Sequence, residues 1–198
     1  MKKKNKQNYH HGDLRFALIS AAVEMINKQG IEQLTMRNLS EWIGVSRTAA
    51  YRHFSNKEDL LTATAIEGFK QFSQALKAAR VDDSVDETNR FRNMGKAYIS
   101  FAIKNPAYYR LMFGNNVVQK NEALKNACDS SFNELLLMIE LLQSLKVIAA
   151  DEARQQAIYI WSLMHGLTSL IIDNKLQPDV DFDALMEFID HSITKSLI

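Results

Sequence analysis

Cysteine is nearly missing: Cys128 is the single thiol among 198 residues, so no disulfide forms within the chain and a reducing compartment is the natural home. Proline (two) and glycine (seven) are also scarce. With so little punctuation and no period-2 run of β-branched residues, helix is expected almost throughout. Long apolar runs are lacking too. The longest, LLLMIELL from Leu135 to Leu142, is interrupted by Glu140 and falls short of the ~20 residues that span a bilayer. The basic start, MKKKNKQNYHHGD, has no apolar segment behind it to act as a secretory signal. A cytoplasmic protein with no membrane partner is expected. The five histidines are not at metal-ligand spacing, and there is no Gly-rich phosphate loop, nucleophile elbow or Cys/His pair with catalytic neighbours. Neither an enzyme, nor a metal site, nor a cofactor is expected.

What is present is a charge asymmetry. Net charge is only +1, but residues 1–60 carry ten Lys/Arg against six Asp/Glu, while residues 61–198 carry fourteen against seventeen. A basic first third on a mildly acidic remainder points to an anionic partner met by the N-terminal end. The lysine-rich start reads either as a solvated tail or as an arm for a minor groove or flanking phosphates.

Periodicity divides the chain at the same place. Leu14, Leu18, Ala21 and Met25 form the stripe of a first helix, with Asp13 as N-cap and Gly30 past its end. A second, barely two turns long, opens at Thr35; Gly44 and Val45 end it. Ser46 caps a third that runs to about Arg52 or His53, and Ser55 with Glu58 forms a capping box for a long helix with Leu61, Ala65, Gly68, Phe72 and Leu76 inside. The acidic segment 81–89 is expected to be a loop, and helices follow near 90–104, 107–113, 119–145, 152–173 and 181–196, with breaks at Pro106 and Pro178.

Two short helices around a Gly-containing turn, buttressed by a third, make a helix-turn-helix whose second helix enters a major groove. Leu14, Leu18, Leu39, Val45 and Phe54 would form its small core. Thr35, Ser46, Arg47, Thr48, Ala49, Tyr51, Arg52, His53 and Lys57 are the expected DNA-facing set. Arg47 can fork onto guanine, the hydroxyls and His53 can reach phosphate or base, and Ala49 and Ala50 allow close approach. Lys57 lies in the next helix's first turn, where free N–H groups favour an anion.

YHHGDLRFALISAA (9–22), GIEQLTMRNLSEWIGVS (30–46) and AYRHFSNKEDLL (50–61) together resemble the tetracycline-repressor family of bacterial one-component regulators. The remainder resembles that family's Trp-His-Gly subtype through NPAYYRLMFG (105–114) and WSLMHGL (161–167). The resemblance implies an all-α homodimer: a helix-turn-helix domain at 1–60, and a helical domain at 61–198 that binds an effector and pairs its last two helices with the partner's. It implies a regulator, usually a repressor, that holds a palindromic operator in double-stranded DNA and is released by a small molecule. The chain departs from the family at Ala50, where relatives usually carry a larger residue.

In the second domain Tyr98, Phe101, Tyr108, Met112, Phe113, Trp161 and His165 are the candidate effector contacts, with Tyr109 and Met164 among them. They offer aromatic faces and few charges, which suits an apolar or aromatic ligand. A filled core would contain the same residues, and a regulator without a ligand, an activator, or a helical interaction module without DNA also stay open. On the last two helices the stripes Ala157, Trp161, His165, Thr168, Ile172 and Phe182, Leu185, Ile189, Ile193 exceed what one subunit needs to cover its core, and part of them is expected to form the interface between chains.

Overall fold

The computed structural model describes residues 14–114, 121–176 and 182–196, and every regular element among them is helical. The lysine-rich start, the Asp13 cap and the Pro178 break lie outside the described residues, as does the side chain of Phe182. The elements are α1 (Leu14–Gln29), a single 3-10 turn (Ile31–Gln33), α2 (Met36–Ile43), α3 (Arg47–Tyr51), α4 (Lys57–Arg80), α5 (Glu87–Lys104), α6 (Pro106–Phe113), α7 (Glu122–Ser144), α8 (Ala153–Ile172) and α9 (Phe182–Ser196).

Side-chain caps decide most of the starts. Thr35 Oγ1 accepts from Asn38 N at 3.0 Å, Ser46 Oγ from Ala49 N at 3.1 Å, Asp86 Oδ1 from Asn89 N at 2.8 Å and Asn121 Oδ1 from Leu124 N at 2.9 Å. Each satisfies an orphan N–H of a first turn. The capping box expected at Ser55 and Glu58 is displaced by one residue. Asn56 is the cap, accepting from Asp59 N at 2.8 Å, and Asp59 Oδ2 reaches back to Ser55 N at 2.9 Å. The acidic loop is also shorter than expected. Asp86 caps α5, so helix begins at Glu87 rather than near residue 90. Pro106 starts α6, where its missing N–H costs nothing.

α4 is the spine. It packs on α1 at its N-terminal end and on α5, α6 and α7 farther along, so the division at 60/61 falls within its first turn. Phe69, Phe72 and Leu76 from α4 meet Tyr98, Ile99 and Phe101 from α5, Tyr109 and Leu111 from α6, and Met138 and Ile139 from α7 in one continuous core. At the far end Arg80 Nε donates to Glu134 Oε2 at 2.8 Å, an ion pair that clamps α4 to α7. The small N-terminal core joins α1 to α4 through Leu18, Met25, Leu34, Leu39, Phe54 and Leu60, all buried.

Candidate functional site

α3 is only five residues long and is held from both ends. Gly44, at φ 77° and ψ 30°, takes the left-handed conformation that turns the chain out of α2. Its N–H and that of Val45 both donate to the Ser40 carbonyl. Ser46 caps the start. At the end, His53 N and Phe54 N donate to the Ala50 carbonyl, which tucks Phe54 under the helix with the Arg15 guanidinium 5.1 Å from its ring centre. This leaves Ser46, Arg47, Thr48, Tyr51 and Arg52 exposed, with Ala49 and His53 half-buried beside them. Arg47, Thr48, Tyr51 and Arg52 stand at i, i+1, i+4 and i+5, one continuous face. Ala50 is the exception: it is fully buried, so it belongs to the core beneath α3 and not to the approach surface.

The second site is a partly open cavity of about 730 Å³ lined by α4, α5, α7, α8 and α9. Phe72, Phe91, Met94, Phe132, Ile160 and Met164 supply much of its apolar wall. Tyr98 and Trp161 line it as well. Behind Tyr98 runs a polar chain: its hydroxyl lies 3.1 Å from that of Tyr109, which lies 2.7 Å from His165 Nδ1. Burial holds His165 below the ordinary histidine range, so the ring is neutral near pH 7. The short contact then reads as Tyr109 O–H donating to Nδ1, with the ring proton on Nε2. Burial also pushes the Tyr109 hydroxyl up to about 12 and the Tyr98 hydroxyl up further, so both stay protonated donors. Cys128, on the cavity wall, is raised by burial and by neighbouring Asp129, which keeps it a thiol.

Residues 18–64 match the family described as bacterial regulatory proteins, tetR family, and residues 91–192 match the tetracyclin repressor-like C-terminal domain. The chain belongs to the tetracycline-repressor family. Among relatives, the nucleoid occlusion factor SlmA of Vibrio cholerae is 26% identical over 181 residues, covering 85% of this chain and 90% of that one. A protein of unknown function from Rhodococcus sp. RHA1 superposes with a TM-score of 0.86 at 27% identity, over 97% of this chain and 99% of that one. The fatty acid degradation regulator FadR from Bacillus halodurans shares the fold, with a TM-score of 0.75 at 15% identity over 98% of this chain and 97% of that one.

Within this tetracycline-repressor fold the expected effector contacts part company. Tyr98 and Trp161 reach the cavity, and His165 stands behind them, bonded to the tyrosine chain and with its ring 6.4 Å from that of Trp161. Tyr108 and Met112 instead pack on α4 at Gly68, where a Cβ would meet each of them at 2.9 Å. Phe101 and Phe113 pack in the aromatic core around Phe72, tilted and edge-on respectively. The expected scarcity of charge is corrected too. Arg92 and Lys96 on α5, whose i, i+4 spacing from Thr88 was the available signal, and Glu187 on α9 stand at the cavity's edge. Lys57 is half-buried and donates to the Ile31 carbonyl at 2.9 Å, a strut from α4 to the α1–α2 connection that sequence reading missed. Part of the expected interface stripes is used within the subunit. On α8, Ala157 and Thr168 are buried inside the subunit, and Ile189 and Ile193 on α9 line the cavity. The outward apolar side chains are Ile158, Tyr159, Leu163 and Leu170 on α8 and Phe188 on α9.

Proposed function

We propose that the chain is a cytoplasmic, dimeric repressor that grips a near-palindromic operator with two copies of α3 and releases it when a small molecule fills the cavity. The observation that carries the reading is the pairing of two features in one chain: an exposed polar and basic face on a capped five-residue helix, and a large apolar cavity beneath the same spine helix. Interiors are packed with few voids larger than a water. A space of about 730 Å³ corresponds to about 24 waters' share of liquid volume, far more than packing defects leave.

A continuous route joins the two sites. A ligand pressing on Tyr98 disturbs its contact with Tyr109 on α6, α6 is seated on α4 at Gly68, and both α4 and α6 pack on α1. Ligand binding would favour the dimer in which the two α3 helices no longer stand one DNA turn, about 34 Å, apart. Ser46, Arg47, Thr48, Tyr51 and Arg52 are the proposed base and phosphate contacts, with Thr35, Ala49, His53 and Lys57 at the edge.

The test is selection of binding sites from random DNA with the purified protein, then fluorescence anisotropy on the consensus while a library of apolar compounds is titrated. A two-fold symmetric consensus, and compounds that raise Tm and release DNA together, are expected. Trp161→Ala should abolish release and leave operator affinity intact. No consensus above non-specific binding would end the reading. Likeness to SlmA favours one second reading, a DNA-bound nucleoid occlusion factor rather than a repressor of particular genes. Mapping occupied sites in the cell separates the two.

A further inference from the structure

We infer that the cavity takes a neutral apolar alcohol or phenol, whose hydroxyl donates to the Tyr98 oxygen and accepts from the Trp161 indole. The inference rests on the cavity being the effector site and names the polar group that site selects. It follows from where the wall's own hydrogens go. Ser131 on α7 is buried and lines the cavity, yet its hydroxyl donates to the Cys128 carbonyl at 2.7 Å, one turn back along the helix. A carbonyl only accepts, so that hydrogen is spent and the cavity meets the lone pairs of Ser131 alone. Tyr98, also buried, is in the same state. Tyr109 gives its single hydrogen to neutral His165, so the 3.1 Å contact between the tyrosines has Tyr98 as donor. The other atom near it, His165 Nδ1 at 3.5 Å, is likewise an acceptor behind the wall. Either way the Tyr98 hydrogen points away from the cavity, while its oxygen interacts with the indole of Trp161, which lines the cavity too.

Two buried hydroxyls therefore act as acceptors, and the indole N–H, which only donates, stands beside one of them. That arrangement discriminates among neutral ligands. A ketone or an ether brings lone pairs alone: it can take the indole N–H, but it sets its oxygen against that of Tyr98. A hydrocarbon covers both groups and answers neither. An alcohol or phenol answers both, because one oxygen carries a donor and an acceptor. Tyr98 keeps its bond to Tyr109 whatever the occupant, so the selectivity is that of one neutral hydrogen bond, about fivefold. The rest of the affinity comes from apolar walls such as Phe72, Phe91, Met94 and Ile160. His165 is a positioning residue in this scheme: by accepting from Tyr109 it sets the direction of the bond from Tyr98 as well.

Matched neutral probes test this: cyclododecanol, cyclododecanone and cyclododecyl methyl ether, with menthol, menthone and menthyl methyl ether as a second body. Binding is read from Trp161 fluorescence in a Trp42→Phe background and from operator release. Each alcohol is expected to bind about fivefold more tightly than its ketone and ether. Tyr98→Phe, which removes the accepting oxygen and keeps the ring, should bring the alcohol-to-ketone ratio close to unity with ketone affinity little changed. His165→Phe should lower the same ratio with Tyr98 still in place, since the tyrosine hydrogens are then free to turn toward the cavity; this variant carries the test if Tyr98→Phe fails to fold. A purely structural role for these side chains would weaken alcohol and ketone alike, and an unchanged ratio in the folded variants would overturn the inference. If ketones and ethers bind and release DNA as well as the alcohols, the donor selectivity is wrong while the effector site stands. If no probe of either body perturbs Trp161 or DNA binding, the effector reading falls and this inference falls with it.

Discussion

Tyr109 and His165 show how much can hang on one proton. Nδ1 accepts from the tyrosine only while the ring is neutral, and burial favours that form by holding His165 below the ordinary value of 6.5. The unfolded chain takes up this proton as pH falls through about 6.5, whereas the folded chain takes it up only at lower pH. Stability contributed here is present above that value and lost as pH falls below it. Melting temperature followed from about pH 8 to 5 should drop more in the wild type than in His165→Asn; parallel curves would show that the ring titrates as it does in water. The Arg80–Glu134 pair makes the same point with fixed charge. The two side chains are 20% and 11% exposed, so Arg80→Met strands a nearly buried carboxylate. A loss of about 3 kcal/mol is expected by denaturant titration, most of it recovered when Glu134→Leu is added. Single residues were legible in the sequence where chemistry is local. The exposure of Arg47, Thr48 and Tyr51 needed only their position on a short helix. Lys57 and Ala50 were not legible, because a contact across 26 positions, as from Lys57 to Ile31, or a place under a neighbouring helix leaves no local mark.

Among the elements, α3 is the least able to exist alone. Five residues cannot recover the cost of helix nucleation, so its shape depends on Ser46 at one end and on Phe54 and Ala50 packed beneath. Ser46→Ala should lower stability by about 1 kcal/mol. Ser46→Gly, which costs only a few tenths as a cap, should be closer to wild type in stability while lacking the hydroxyl at the DNA face. Thermal melts of the two, set against their operator affinities, separate capping from recognition. Starts of this kind were readable in advance at Thr35 and Ser46, where one cap residue precedes one apolar stripe. At Ser55–Asn56 two cap residues stand side by side, and tertiary structure chose between them: Asp59 reaches back to Ser55, and Lys57 is anchored on Ile31. The cavity was half legible, through Tyr98 and Trp161. Its other walls come from the quiet faces of α5 and α7, whose Met94, Ser131 and Phe132 look like ordinary core in sequence.

At the level of the molecule, α8 shows why periodicity alone does not choose the face that a partner chain would meet. The helix is apolar nearly all round, so periodicity marks two stripes and cannot say which one the subunit covers. The structure covers Ala157, Ile160, Met164 and Thr168 and leaves out Ile158, Tyr159, Leu163 and Leu170, with Gly166 among them and open space where its Cβ would stand. Leu163→Glu should therefore yield folded monomers in sedimentation that bind a half-site weakly, and Gly166→Leu should do the same, since in a lone subunit nothing lies within 4 Å of the added carbon. Retained dimers in both variants would place the symmetric contact elsewhere. The opposite situation holds at Gly68. There the side chains of Tyr108 and Met112 come so near α4 that even a methyl would need both to give way. In mechanical language this is a joint without play: a displacement of α6 cannot be absorbed as slack before α4 feels it. Gly68→Ala would act as a shim that biases the lever permanently, and the variant's operator affinity should resemble that of the effector-loaded protein before any effector is added.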